Sequence, residues 1–442
     1  MEKADYIICG DYVVTMDERL SVLRDGAVAV GGTTVLAVDA RDAVMKKYDA
    51  RHIVAGEGRV VMPGLVNTHT HAAMVYFRGL ADDLPLKEWL EGHIWPAEGK
   101  WLSAGFVGDA VELACLEMLK AGITTYNDMY FFGDSAAQST RRLGMRAVLG
   151  VGIVDFPTMT AATADEYLGN AARFIDAWKG DELITPCIAP HSAYACGPET
   201  LRRVKALADE RDVLVTTHLS ETAWEVGELQ SRFGKRPAEH LDALGLLDER
   251  LLAAHCVWLD EQEIALLARK RVGVSHCIES NLKLASGFAP VPEMLRAGIP
   301  VTFGTDGAAS NNTLDIFGEL SVAAKVHKAL AKDPTVLDAK TALLMATRWG
   351  AEALHLADRI GSIERGKRAD LITLDLRKPH LTPLYDIYSH LAYAAKASDV
   401  ETVFVNGARV VSNGALQTGD EQELLRKAAA WAERIRACNS RS

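Results

Sequence analysis

Apolar runs that each end in a histidine or an aspartate recur between Val61 and Asp306, and they constrain this chain more than any other feature. Val61–Val66 leads through Asn67 into His69-Thr70-His71, Val213–Thr217 into His218, Leu251–Ala254 into His255, Val272–Ser275 into His276, and Val301–Thr305 into Asp306. Helical patterns separate them, as at Asp260–Ala268 and Pro292–Ala297. From Val107 the apolar positions 107, 110, 111, 114, 115, 118 and 119 follow the i, i+3, i+4 rule, with Gly122 placed as a C-terminal cap before a strand at Ile123–Tyr126. Strands alternating with helices over roughly 250 residues suit a (β/α)₈ barrel, although a doubly wound sheet gives similar local signals. The polar residues favour the barrel, which gathers the C-terminal ends of all its strands on one rim.

Both ends of the chain have a different texture. Tyr6–Cys9, Tyr12–Met16, Gly26–Val30 and Thr34–Val38 read as short strands separated by Gly and Asp turns. Ala369–Leu374, Val403–Val405 and Ala408–Val411 repeat the pattern, with Asn406-Gly407 as a hairpin turn. The expected architecture is α/β: a TIM-like (β/α)₈ barrel over 63–360 and a small composite β-sandwich domain from both termini, 1–62 plus 361–418. The charged stretch Glu421–Arg436 predicts a surface helix within 419–442.

With 442 residues, 49% of them apolar, the chain can bury a large core. Its net charge of −11, with both signs interspersed, leaves no basic stripe for a nucleic acid. No cationic and apolar leader follows Met1 and no uncharged apolar run would span a bilayer, so a cytoplasmic protein without a membrane partner is expected. Cysteines at 9, 115, 187, 196, 256, 277 and 438 form no C-x-x-C pair and read as reduced, small, buried side chains. Cys256 and Cys277 each follow a histidine, and strand alternation points them away from it.

Two histidines at i and i+2 on an extended segment project to one face, and so suit one ion. Imidazole and carboxylate donors without thiolate favour Zn²⁺, with Fe²⁺ and Mn²⁺ as alternatives. Such an ion lowers the pKa of a bound water from about 16 to about 7, which makes a nucleophile available near neutrality. His52, His93, His240, His327, His355, His380 and His390 lie outside this pattern and read as ordinary hydrogen-bonded histidines.

VMPGLVNTHTH ending at His71, HLSET from His218, AHC around His255, SHCIESNLKLASG from Ser275 and GTDGAASNN from Gly304 resemble the amidohydrolase superfamily, in its deaminase and chlorohydrolase branch. The stretch RGLADDLPLKEWLEGHIWPAE from Arg78 to Glu98 is similar to the bacterial 5-methylthioadenosine/S-adenosylhomocysteine deaminases. The resemblance implies one divalent ion held by His69, His71, His218 and Asp306. It implies hydrolysis of the 6-amino group of 5′-methylthioadenosine to a 6-oxo product and ammonia, by attack of activated water on C6, with S-adenosylhomocysteine and adenosine as further substrates. Glu221 would carry a proton to N1, His255 would orient the water, and Asp306 would take the water's proton and return one to the leaving ammonia. His191 would contact the purine and Glu98 the ribose hydroxyls. His276 is left between substrate contact and a structural role, while Asn281 and Lys283 are expected on a loop at the mouth.

The alternatives keep the same site and change the heterocycle, as in guanine or cytosine deaminases and triazine chlorohydrolases. Some relatives bridge two ions through a modified lysine at the fourth strand; His191 stands there, which favours a single ion. Arginines that hold a homocysteine carboxylate in some relatives have no clear match. Gly150 occupies the expected spacing, with Arg146 and Arg173 as unaligned candidates, and this favours methylthioadenosine over adenosylhomocysteine. A homo-oligomer is expected from the same resemblance.

Overall fold

The computed structural model describes residues 1–439; residues 440–442 of the expected C-terminal segment and the side chain of Cys438 lie outside the described set. Eight parallel strands pair in chain order: β6 (Leu65–Thr70), β7 (Ile123–Tyr130), β8 (Arg146–Ile153), β9 (Ile184–Pro190), β10 (Val215–Leu219), β11 (Leu251–His255), β12 (Gly273–His276) and β13 (Val301–Phe303). The ring nearly closes where β13 returns to β6. There Thr68 Oγ1 donates to the Phe303 carbonyl at 2.9 Å and the Asp306 amide donates to the His69 carbonyl at 3.0 Å. Gly304 permits this approach, because a Cβ on it would lie 2.7 Å from His69 Cβ. This is the (β/α)₈ barrel that the alternating pattern predicts.

Nearly every residue of these eight strands is buried, as expected for strands covered by helices outside and by packed side chains within. The inside is layered. Val66, Val148, Cys187, Leu214 and Leu252 pack with Ala351 and Leu354 of the segment after the barrel, which plugs its N-terminal end. Above them Thr68 Oγ1 lies 2.7 Å from both Ser275 Oγ and Thr302 Oγ1. The histidines and Asp306 occupy the opposite, C-terminal end.

The chain ends meet in one nine-stranded mixed sheet built from β1 (Glu2–Val14), β2 (Val22–Gly31), β3 (Thr34–Ala40), β4 (Tyr48–Val54), β5 (Arg59–Pro63), β14 (Leu371–Asp375), β15 (Val400–Val405), β16 (Ala408–Ser412) and β17 (Ala415–Leu416). It curls about a shared apolar cluster, so that Tyr6 of β1 meets Phe404 of β15 edge-on at 5.0 Å although two strands separate them in the sheet. Tyr6–Cys9 and Tyr12–Met16 are not two strands. Gly10-Asp11 lies inside the single strand β1, whose first part pairs with β4 and whose second part pairs with β5. The turn signal is overridden because Asp11 Oδ2 accepts the Gly58 amide at 2.8 Å and the absent side chain of Gly10 leaves room for Val61.

Ser103 caps the helix Ala104–Lys120 by accepting the Phe106 amide, and Gly122 at φ 83° ends it. The C-terminal helix Glu421–Asn439 is docked on it: Phe106 and Trp431 rings meet at 5.1 Å and Trp431 Nε1 donates to Asp109 at 3.0 Å. Leu424 and Ile435 are buried, so this helix has a packed face beneath its charged surface. Arg146, at the start of β8, is fully buried and grips Asp370 through Nε at 2.7 Å and Nη2 at 3.1 Å. It ties the barrel to the sheet and does not face the cavity. Among the described residues no helix is long and apolar enough to cross a membrane.

Candidate active site

The C-terminal rim of the barrel brings together His69 and His71 from β6 and its end, His218 from β10 and Asp306 from just past β13, with one donor atom of each within 4.8 Å of the others. Backbone carbonyls fix two of the imidazoles. His71 Nδ1 lies 2.7 Å from the Met129 carbonyl and His218 Nδ1 lies 2.8 Å from that of His191. A carbonyl only accepts, so both Nδ1 atoms carry hydrogen and both Nε2 atoms turn inward, the usual orientation of imidazole ligands. Those Nε2 atoms stand 3.2 Å apart, so a proton or a metal ion must lie between them.

Asp306 completes the set. Its Oδ2 accepts Ser280 Oγ at 2.7 Å and Ser310 Oγ at 2.6 Å, which leaves Oδ1 aimed at His71 Nε2 (3.2 Å) and His69 Nε2 (3.5 Å). Burial would discharge the His71 ring, yet the adjacent Asp306 carboxylate pushes it up to about 9; His69, more deeply buried, is pushed down to about 4. Burial alone would raise the Asp306 carboxyl, but the two histidines hold it well below the usual range. His69 is fully buried and, among the described residues, neither of its ring nitrogens has a hydrogen-bond partner. An orphaned buried ring is costly unless it ligates something. The donor set fits one divalent ion of the zinc type.

Beside this cluster Glu221 is 5% exposed, which excludes a solvated helix-start carboxylate. Its Oε2 lies 3.8 Å from His255 Nε2, and burial raises its carboxyl against the opposing pull of His255. His255 Nδ1 is 2.9 Å from Asn281 Oδ1, which places the hydrogen on Nδ1 and leaves Nε2 free to accept. His255 and Asp306 both adopt positive φ, 71° and 58°, strain that strand ends hold only where the surroundings enforce it. His191 lines the same cavity, and burial pushes its ring down to about 3, so it faces the cavity neutral.

Glu98 sits in the short helix Trp95–Trp101 and is 7% exposed, with Oε1 accepting Tyr130 Oη at 2.6 Å. Burial pushes its carboxyl from 4.5 up to about 7. A carboxyl raised on folding binds its proton more tightly in the fold, so the stability it contributes is present below pH 4.5 and is lost as pH rises through about 7. Glu98→Gln should therefore flatten that part of the stability profile. Urea unfolding should show the variant gaining about 3 kcal/mol on the parent between pH 4 and pH 8.

Several residues differ from their sequence reading. Asn281 is buried and holds His255, so it is not on a mouth loop. Lys283 does reach the mouth, where it bonds Asp82 at 2.5 Å and Asn312, and so ties the segment before Leu86–Trp89 to the loop after β13. His276 turns outward to His327, with Nε2 atoms 3.0 Å apart, and has a structural role. Cys277 turns away from His276 as alternation predicts, but the chain bends at it and brings its sulfur within 4.8 Å of His69 and His255 donor atoms. Burial keeps that thiol well above its ordinary value, hence protonated and a poor ligand.

Sequence reasoning passed over Glu225, Ser280, Ser310 and Tyr130. Glu225 is buried and accepts the Ser220 amide (2.9 Å) and the Glu221 amide (2.8 Å), which fixes the turn that carries Glu221. The signal was present: Thr222 caps the next helix, and Glu225 three residues on has the spacing of a capping box. In Glu225→Gln one acceptor becomes an NH₂ facing an N–H. Steady-state kinetics should show kcat lowered about 10- to 100-fold with metal content unchanged.

His71, His191, His218, Glu221, His255 and Asp306 line a cavity of about 360 Å³, within the usual range for small-molecule sites. Leu86, Trp89, Leu90 and Trp95, from the segment between β6 and the helix Ala104–Lys120, contribute to its walls.

Residues 60–410 match the amidohydrolase family. The chain is 54% identical to the 5-methylthioadenosine/S-adenosylhomocysteine deaminase of Thermodesulfovibrio yellowstonii, over 98% of this chain and 99% of the relative. It superposes on a zinc-bound adenosine deaminase from Xanthomonas campestris with a TM-score of 0.97 at 44% identity, covering 99% of each chain. The zinc complex of the atrazine chlorohydrolase TrzN from Arthrobacter aurescens gives a TM-score of 0.89 at 26% identity, covering 97% of this chain and 100% of that one.

Proposed function

Since the chain belongs to the amidohydrolase family, we propose that it is a metal-dependent hydrolytic deaminase that converts the 6-amino group of 5′-methylthioadenosine to a 6-oxo group and releases ammonia. One observation carries the reading: four donors meet at the floor of a nucleoside-sized cavity with Glu221 and His255 beside them. His69, His71, His218 and Asp306 hold a divalent ion, Zn²⁺ in preference to Fe²⁺ or Mn²⁺. When bound, the ion makes water nucleophilic near neutral pH.

The remaining chemistry belongs to side chains. Glu221, favoured in its protonated form by burial, gives a proton to N1 as the water oxygen bonds to C6, so the ring's electrons settle on a protonated nitrogen instead of a free anion. His255 presents Nε2 to the attacking water and orients it, with Asn281 fixing its tautomer. Asp306 takes one proton of the water and returns it to N6; the C6–N6 bond then breaks, ammonia leaves, and the hydroxyl on C6 becomes the 6-oxo group as its proton goes back to Glu221. His191 lies against the purine, and Glu98, with Oε1 occupied by Tyr130, offers Oε2 to the ribose hydroxyls.

In this reading the functional units are 63–360 for catalysis, 1–62 plus 361–418 for the accessory sheet and 419–442 for the terminal helix. The protein works as a cytoplasmic homo-oligomer on a small nucleoside, and light scattering after gel filtration checks its assembly. The direct assay follows the ultraviolet change from adenine to hypoxanthine with methylthioadenosine, adenosylhomocysteine and adenosine, on a sample whose metal content is known. Conversion of methylthioadenosine is expected; fully metallated protein that converts none of the three would overturn the reading.

A further inference from the structure

The deaminase reading assigns the polar lining of the cavity and leaves the rest of its wall without a role. The purine lies at the floor with the ion-site residues, Glu221 and His191, and the ribose lies at Glu98. What remains for the 5′ substituent is apolar. Trp95 and Phe156 rings stand 5.5 Å apart across part of it, and the one hydroxyl there, on Thr158, already accepts Tyr167 Oη at 2.5 Å.

Among the described residues that form the cavity there is no lysine or arginine, whereas Glu98, Glu221 and Asp306 are all present. Arg146 is locked onto Asp370, and Arg173 is exposed on the helix Ala164–Trp178 and lies outside the cavity lining. Gly150 admits no long side chain, since a Cβ there would sit 2.7 Å from Ala189 Cβ. Leu86, Leu90, Trp95 and Phe156 also border an outer cavity that holds Lys87, paired with Glu91, and Arg232, 3.8 Å from Glu228.

We infer that the wall formed by Leu86, Leu90, Trp95, Phe131, Phe156 and Met159 is the subsite for the 5′ substituent and selects it by charge, accepting an uncharged methyl or alkylthio group and disfavouring a zwitterionic amino-acid tail. This rests on the deaminase reading and narrows it. Each methylene buried on such a wall strengthens binding about fourfold. A carboxylate placed there gives up part of its water and finds no lysine or arginine to pair with among the lining residues.

The test compares kcat/KM of the metal-loaded protein for 5′-deoxyadenosine, 5′-methylthioadenosine, 5′-butylthio-5′-deoxyadenosine and S-adenosylhomocysteine. The butylthio compound matches the homocysteine tail in length and lacks its charges. The butylthio compound should be used at least as well as the two smaller uncharged substrates, and adenosylhomocysteine at least about 30-fold less well than the butylthio compound. Met159 is 58% exposed and tolerates a long polar chain, so Met159→Arg should lower the butylthio to adenosylhomocysteine ratio at least about fivefold; Phe156→Lys is the second version should that chain not fold. Equal use of adenosylhomocysteine and the butylthio compound overturns the inference, as does equally poor use of both, which means selection by length. An unchanged ratio in both folded variants also overturns it. Conversion without discrimination removes only the charge selection, whereas no conversion of any of the four removes the deaminase reading beneath it.

Discussion

Purified His69→Ala protein should carry less than about a tenth of the parent's metal and turn over at least about 10⁴-fold more slowly. His69 is the innermost donor, fully buried, with Asp306 Oδ1 3.5 Å from its Nε2. Its loss removes one of the four donors that converge on the ion site. The ion's polarisation of water contributes several kcal/mol to the barrier, and each 1.4 kcal/mol is tenfold in rate. Metal analysis per chain and initial rates on methylthioadenosine check both halves. Stability supplies the control: adding zinc should raise the melting temperature of the parent and leave that of His69→Ala unchanged. A variant that keeps its metal and its rate would mean that the ring is structural.

The second large effect falls on proton transfer. Glu221→Gln should lower kcat about 10³-fold or more with metal content unchanged, since a positioned acid contributes about 10²- to 10⁴-fold. Burial raises the Glu221 carboxyl, so the parent should lose activity as rising pH removes that proton. The variant has no such proton, and its residual rate should lack that alkaline limb. A pH profile of kcat for both proteins separates this role from simple positioning, which would lower the rate without changing the profile. Retention of most of the activity in Glu221→Gln would transfer the proton-carrying role to another group.

What the sequence discloses and what it hides follow from one cause. A residue at the end of an apolar run has its direction set by local geometry, so His69, His71, His218, His255 and Asp306 could be gathered on one rim from strand pattern alone, with the resemblance supplying their roles. Residues that act by touching those groups carry no such period. Ser280 and Ser310 are serines in loop-like stretches until the fold brings both hydroxyls onto Asp306 Oδ2. The sequence puts Asn281 on a loop at the mouth, and only the bend after β12 turns it toward His255. Gly10-Asp11 misled in the opposite direction. A turn signal is a local preference of modest size, and the pairing of β1 with two successive partners outweighs it. The C-terminal helix shows the same limit: charge density predicted its surface, and tertiary contact with Phe106 and Asp109 fixed its buried face.

The central claim is a convergence in space, and anomalous diffraction from crystals of the zinc-loaded protein at the zinc absorption edge addresses it directly. One peak is expected, about 2.0–2.2 Å from Nε2 of His69, His71 and His218 and from Oδ1 of Asp306. A peak bound elsewhere, two peaks sharing the site, or fully loaded protein with no peak among these four side chains would contradict it.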